Sequence, residues 1–316
     1  MIRPYFVFEI TRRCNSNCLY CYNVWKQEKG YPAGELSISG IRRLFDKLLS
    51  EVTPAGVTIA GGEPLLHHET AETAKYLSTK SVAVGVATNG VLLDEEMAVR
   101  LAGAGVERFE ISIPALDAGR YRRLMGEDGS GPARRALLLA RQAGAKSTIS
   151  FVITRLNMSD IGEVIDLAAA FSADSVSLNR FVPGGEGLRH SSGLLPSRDE
   201  LEETLTTADN RSEKLGIPVA VTIPIEPCVI VHERFPHLHF GTCCCGKEKW
   251  VIDPLGNLRT CEQNPEILGS LFEKGFEELA CSIRADRFRK DNLRAECTNC
   301  IDYFRCGGGC RFLGNN

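Results

Sequence analysis

Cys14, Cys18 and Cys21 fall within eight residues of one another, directly behind the short apolar run Phe6–Ile10. Thiolates are the soft ligands of zinc and of iron–sulfur clusters, and a closed site of either kind takes four protein donors. Three donors from one loop leave a metal position for something the protein does not supply, and an open position usually means chemistry. Two blander readings compete. Buried free cysteines are common singly, but three set among Arg13, Asn15, Ser16 and Asn17 are a poor recipe for core. A zinc knuckle pairs its ligands as Cys-x2-Cys and completes the set nearby, whereas the nearest histidine here is His67.

A second group of cysteines lies at the other end. The chain has 316 residues and 13 cysteines: three before residue 22, none between Cys21 and Cys228, and the rest from Cys228 onward. Cys297, Cys300, Cys306 and Cys310 form the strongest signal in this half, a Cys-x2-Cys-x5-Cys-x3-Cys run with Gly307, Gly308 and Gly309 to let thiolates wrap a cluster. Zinc is an alternative for four such thiols, though it explains the three upstream ones less well. Met1-Ile-Arg-Pro leads into no apolar signal segment, and no apolar run reaches membrane-spanning length, so a cytoplasmic protein without membrane partners is expected. Reducing conditions there disfavour disulfides and point the cysteines to metal. A net charge of −3 gives no sign of nucleic acid as partner. Hydrophobic residues at 43% and charged residues at 24% suit a globular chain with a real core, and the length suggests about two domains.

The elements that position these residues follow from periodicity. Short apolar runs at Val7–Ile10, Val57–Ala60, Val82–Ala87, Phe109–Ile113, Thr148–Ile153 and Val176–Leu178 read as strands. Helical patterns alternate with them: Ile38–Leu49, Glu69–Leu77, Glu95–Ala102, Ala133–Ala143 and Met158–Phe171. Strand and helix alternating in this way predict a parallel α/β sheet, whose site forms at the carboxyl ends of the strands. The polar pieces fall there: the cysteine loop, then Gly61-Gly62-Glu63-Pro64, Thr88-Asn89-Gly90, Ser112 with Asp117, Thr154 with Asn157, and Asn179-Arg180. Taken singly these are turns and helix caps, a role also expected of Ser37, Asp94 and Asn157.

The Cys14/Cys18/Cys21 spacing with Tyr20 before the last cysteine, followed after the next strand by Gly61-Gly62-Glu63-Pro64, resembles the radical S-adenosylmethionine (SAM) superfamily over roughly residues 5 to 190. The resemblance implies a partial (β/α)6 TIM-like barrel whose three cysteines bind a 4Fe-4S cluster, with SAM on the fourth iron. It implies that SAM's ammonium is met by the carbonyls of Gly61 and Gly62 and the carboxylate of Glu63, in the turn that Pro64 closes, and its adenine by Tyr20. Thr88, Asn89 and Ser112 are then candidates for ribose and methionine polar groups, and Arg180 for the carboxylate. It also implies reductive cleavage of SAM to a 5′-deoxyadenosyl radical that abstracts hydrogen from an unactivated C–H bond, with a flavodoxin- or ferredoxin-type reductant as electron source.

The second half resembles the SPASM extension of peptide-modifying members of that family. Cys245, Gly256 and Cys261 match its first part, with Trp250–Asp253 and Asn257–Thr260 reading as a hairpin, and the Cys297 to Cys310 run matches its second. By analogy Cys245, Cys261 and Cys310 hold a first auxiliary 4Fe-4S cluster, and Cys297, Cys300 and Cys306 a second. Cys243, Cys244 and Cys228 compete for the fourth place in the first cluster, Cys243 being favoured. The pattern's closing cysteine after Cys310 is missing, so the second cluster has an open iron, an upstream cysteine or a substrate atom there, and one or two auxiliary clusters are expected. Cys281 lies in a helical pattern, Phe276–Arg289, and is expected in the core.

The expected organisation is a radical SAM partial barrel over 1–195, a bridging helix (199–215) and strand (218–223) within 196–240, and a small Cys-rich α+β SPASM-type domain over 241–316. The favoured function is oxidative modification or cross-linking of a ribosomally made precursor peptide, with a separate leader-recognition protein or none at all, since only four residues precede the first strand. A small-molecule dehydrogenase or decarboxylase on the same scaffold, and a non-catalytic iron–sulfur or zinc protein, are the alternatives. No catalytic acid or base is assigned. Asp117, Glu226 and Asp253 are loop carboxylates of the kind that are usually solvated, and His232, His237 and His239 lie in an irregular stretch.

Overall fold

The computed structural model describes residues 3–26, 28–291 and 293–312. The six expected strands are present as β1 (Tyr5–Thr11), β2 (Gly56–Gly61), β3 (Val84–Thr88), β4 (Val106–Ser112), β5 (Lys146–Ile153) and β6 (Ser175–Arg180). All five neighbouring pairs among them are parallel. The crossovers carry α1 (Ile38–Glu51), α2 (Thr70–Thr79), α3 (Glu95–Gly103), α4 (Ala118–Met125), α5 (Ser130–Gln142) and α6 (Ile161–Phe171). This is the α/β arrangement expected of a partial barrel. Along β1, Phe6, Phe8 and Ile10 face the helices, with Phe8 edge-on to Phe45 of α1, while Tyr5, Val7 and Glu9 alternate onto the concave face.

The sheet does not stop at six strands. A one-turn α7 (Ser191–Leu194) and the long α8 (Arg198–Leu215) lead into β7 (Val219–Val221) and β8 (Leu238–Phe240), which extend the parallel sheet beyond β6. The start of α8 is fixed by a capping box between Ser197 and Glu200. At the opposite edge β9 (Lys249–Ile252) pairs parallel with β1, and the hairpin to β10 (Asn257–Arg259) and β11 (Gly269–Ser270) completes an order of β11-β10-β9-β1-β2-β3-β4-β5-β6-β7-β8. The hairpin expected near residue 253 is therefore present, and it is continuous with the barrel sheet. Beyond it lie α9 (Phe276–Ala280), α10 (Ile283–Asp291) and α11 (Tyr303–Cys306).

Two sequence expectations change. Residues 276–289 form two helices, because Ser282 Oγ accepts from the Ala285 N–H and starts a new one; Cys281, expected in the core, is exposed at that break. Asn157 does not cap α6. Its amide braces the sheet rim instead, accepting from the Thr154 N–H and hydroxyl and donating to the Pro114 and Val152 carbonyls. Ser37 and Asp94 do cap α1 and α3. Among the described residues, no helix is long and apolar enough to cross a membrane.

Candidate metal and SAM site

The Cys14–Cys21 loop leaves the carboxyl end of β1 and is held from three directions. The Asn17 and Leu19 N–H groups donate to the carbonyls of Met125 and Leu124 at the end of α4, at 2.8 Å each, and the Gly187 N–H donates to the Cys21 carbonyl at 3.0 Å. Cys18 Sγ and the Tyr20 hydroxyl both approach Met125 Sδ, at 3.3 and 3.0 Å. Burial pushes the thiols of Cys14 and Cys18 up, and each of these thiolates would feel the other cysteines of the loop. A bound cation reverses that balance, as metal ligation requires.

The Gly61–Pro64 turn packs onto this loop from β2. The Gly62 and Glu63 N–H groups donate to the Thr11 and Arg13 carbonyls at 2.8 and 2.7 Å. A Cβ on Gly61, whose φ is +133°, would lie 2.4 Å from the Thr11 carbonyl oxygen, and one on Gly62 would lie 2.1 Å from that of Arg13, so only glycine permits this approach. The Gly61 carbonyl accepts from Asn23 Nδ2 at 3.1 Å. Pro64 opens a single 3-10 turn.

Glu63 points inward. Its carboxylate accepts from the Leu65 N–H (3.1 Å), the Thr88 hydroxyl (2.7 Å) and the Asn89 N–H (2.8 Å), tying the turn to the end of β3. Burial pushes its pKa up to about 7. Asn89 reaches on to Asn15 Oδ1 at 2.7 Å, so Thr88, Asn89, Glu63 and the cysteine loop form one bonded unit. Ser112 ends β4 on the same rim. Arg180 ends β6, buried and paired with Glu226 at 2.7 Å. Among the other carboxylates weighed from sequence, Asp117 caps α4 and Asp253 ties the β9–β10 turn to the Tyr31 hydroxyl.

The C-terminal thiols fall into two groups. Only eight residues, 241–248, connect the carboxyl end of β8 to the amino end of β9. The segment thus leads from the edge strand β8 to β9, which lies inside the sheet between β10 and β1. Cys243 and Cys245 lie on it, within electrostatic reach of each other, and the Cys245 and Cys261 sulfurs and a Glu262 carboxylate oxygen lie within 4.8 Å of one another. Cys310 lies within electrostatic reach of Cys243, and the Lys249–Glu262 ion pair (2.7 Å) sits beside Cys245 and Cys261. Sequence reasoning passed over Lys249, Glu262 and Met125, which carry no pattern of their own. Cys297, Cys300 and Cys306 line a separate cavity of about 680 Å³.

Single ions and clusters ask for different thiol spacings. Zinc bound to thiolates at about 2.3 Å requires sulfurs roughly 3.8 Å apart. Among the described residues, the set of three or more His, Cys, Asp or Glu ligand atoms that all lie within 4.8 Å of one another is Cys245, Cys261 and Glu262. Cys14, Cys18 and Cys21 do not form such a close set, and three thiols of one loop at wider spacing suit a multinuclear cluster.

A parallel β/α sheet whose first loop presents three soft ligands, braced by a glycine-rich turn, defines an enzyme scaffold that couples an iron–sulfur centre to a second ligand. The chain belongs to the radical SAM superfamily: the family model "Radical SAM superfamily" matches residues 8–168. Membership implies a 4Fe-4S cluster and SAM. The chain is 31% identical over 209 residues to a PqqA peptide cyclase of Granulibacter bethesdensis, an alignment covering 66% of this chain and 55% of that protein. It is 27% identical to the mycofactocin maturase MftC of Mycobacterium tuberculosis, covering 96% of this chain and 77% of the relative. Its fold is similar to Streptococcus suis SuiB bound to the precursor peptide SuiA, with a TM-score of 0.77, 16% identity and coverage of 98% of this chain and 72% of SuiB.

Proposed function

We propose that this chain is a radical SAM peptide maturase, which removes hydrogen from a side chain of a ribosomally made peptide and leaves it oxidised or cross-linked. The observation that carries the reading is the nearness of two thiol groups. The Tyr22 phenol feels Cys21 of the rim loop and also Glu262 and Lys249, the ion pair beside Cys245 and Cys261, so both thiol groups lie within reach of one side chain. The names of relatives spanning most of this chain agree with a peptide substrate.

In this reading Cys14, Cys18 and Cys21 hold the 4Fe-4S cluster, which with SAM supplies a carbon radical able to take hydrogen from an unactivated position. Gly61 and Gly62 would offer backbone acceptors to the ammonium of SAM, and Tyr20 would meet its adenine. Glu63 acts mainly as the brace that fixes Thr88 and Asn89. Ser112 and Arg180, at the ends of β4 and β6, would meet the ribose and the carboxylate. An auxiliary cluster held by Cys243, Cys245, Cys261 and Cys310 would take the electron left on the oxidised substrate. A flavodoxin- or ferredoxin-type reductant and a separate leader-recognition protein complete the scheme, and a cytoplasmic setting suits these thiols.

The test uses anaerobic, reduced protein with SAM and candidate precursor peptides encoded beside the gene. Formation of 5′-deoxyadenosine together with a peptide lighter by two hydrogens is expected. Deoxyadenosine formation stimulated by a small carbohydrate or porphyrin acid, and by none of the peptides, would replace this reading with the small-molecule one.

A further inference from the structure

The C-terminal cavity is lined by four thiols, one more than the sequence pattern supplies. Cys228, from the turn that follows β7, faces the same space as Cys297, Cys300 and Cys306. It is about seventy residues upstream of the others, so no local spacing announces it.

Three contacts bring it there. The Val229 and Ile230 N–H groups donate to the Glu226 carbonyl at 2.8 and 3.0 Å, which folds 226–230 into a tight turn with Cys228 at its tip. The buried Glu226 carboxylate then joins the barrel to the tail, 2.7 Å from Arg180 and 3.8 Å from Arg294. Gly307, Gly308 and Gly309 all take positive φ, and a Cβ on Gly309 would lie 2.1 Å from Glu226 Oε1. The glycine run is thus what lets the loop carrying Cys306 close over the turn carrying Cys228.

The four thiols thus share the lining of one cavity of about 680 Å³, with room for a cluster. We propose that Cys228 is the fourth protein ligand of an iron–sulfur cluster held with Cys297, Cys300 and Cys306. The assignment rests on the reading that this thiol-rich tail carries iron–sulfur centres. It fills from upstream the place that the resemblance would fill from beyond Cys310. A cluster with four protein donors is closed to substrate, which leaves it to pass electrons.

The experiment measures iron, acid-labile sulfide, zinc and electron paramagnetic resonance spectra on the full chain prepared anaerobically, comparing the parent with Cys228→Ala, Cys228→Ser and Cys281→Ala. With three 4Fe-4S clusters the parent holds about twelve irons, and Cys228→Ala is expected to lose about four of them, or about one with the signal of a three-iron centre. Cys228→Ser, whose oxygen is still a donor, is expected to keep the iron with a shifted signal, and Cys281→Ala to match the parent. Retention of the other clusters' signals in Cys228→Ala separates a lost ligand from a failed fold. A twelve-iron parent with a Cys228→Ala variant unchanged in iron and spectrum removes Cys228 from the site. A parent with about eight irons, or with zinc in this cavity, overturns the cluster itself. None of these results touches the peptide reading, which is judged by its product.

Discussion

The chemistry of the Gly61–Pro64 turn is governed by one buried carboxyl. Glu63 is 1% exposed, and burial outweighs its three hydrogen bonds, raising its pKa from 4.5 to about 7. The folded chain therefore keeps a proton that the unfolded chain releases, so the stability tied to this group is fully present below about pH 4.5 and is lost as the pH rises through about 7. The slope reaches about 1.4 kcal/mol per pH unit within that window. Glu63→Gln abolishes the titration and turns an amide N–H toward the Asn89 N–H, an unpaired buried donor worth about 1–3 kcal/mol. Urea midpoints of parent and variant across this range should converge as the pH rises, and a constant separation would contradict a titrating Glu63. Gly62→Ala tests the same contact from the other side. Its Cβ meets only backbone, 2.1 Å from the Arg13 oxygen, so the loop has to move, at a cost of about 1–3 kcal/mol. Because Arg13 precedes Cys14, iron bound per chain should fall as well, and full iron content in a folded variant would show the turn dispensable. The two glycines and the proline were legible as a turn from their types alone. The inward aim of Glu63 was not, because its partner Thr88 is 25 residues away.

Among the elements, the join between β10 and β1 decides how the second half of the chain is held. Arg259, fully buried, bonds Glu9 of β1, donates to the carbonyls of Glu262 (3.2 Å) and Asn264 (3.0 Å), and lies over the Tyr31 ring. Replacing Arg259 by Met leaves the buried Glu9 carboxyl without its partner and is expected to lower stability by about 3–5 kcal/mol. Adding Glu9→Leu should recover most of that loss, because a well-packed apolar pair can substitute for a buried ion pair. A double variant no more stable than the single one, in the same denaturation experiment, would argue that packing and not charge fails. This join explains what could be read in advance. β1 to β6 were visible as apolar runs because both faces of a parallel strand are covered. The residues of β9 and β10 also read as strands, but nothing in their sequence reports pairing with a segment some 240 residues earlier. β8 escaped notice because three residues, Leu238-His239-Phe240, carry no periodicity, and α4 because Arg120, Arg122 and Arg123 mask its buried Tyr121 and Leu124.

For the molecule as a whole, the composition suggests two separable parts, since the thiols crowd beyond residue 241, whereas the sheet runs through both. β1 is central: β2 lies on one side and β9 on the other. Phe276 of α9 packs edge-on against both Phe6 (5.3 Å) and Trp250 (5.5 Å), and the Phe276 N–H reaches back to Glu51 of α1. Cutting the chain before residue 241 would therefore strip β1 of a full row of backbone partners and uncover Phe6. An unpaired apolar edge of this kind recruits other chains. A fragment ending at residue 240 is expected to aggregate or unfold under conditions where the full chain is monodisperse, and limited proteolysis of the full chain should yield no stable product of that length. A soluble, cooperatively melting fragment that still bound iron through Cys14, Cys18 and Cys21 would mean that the barrel is complete at eight strands. The hairpin would then be an attachment, and coupling between the rim loop and the C-terminal thiols would have to pass through the 241–248 segment alone.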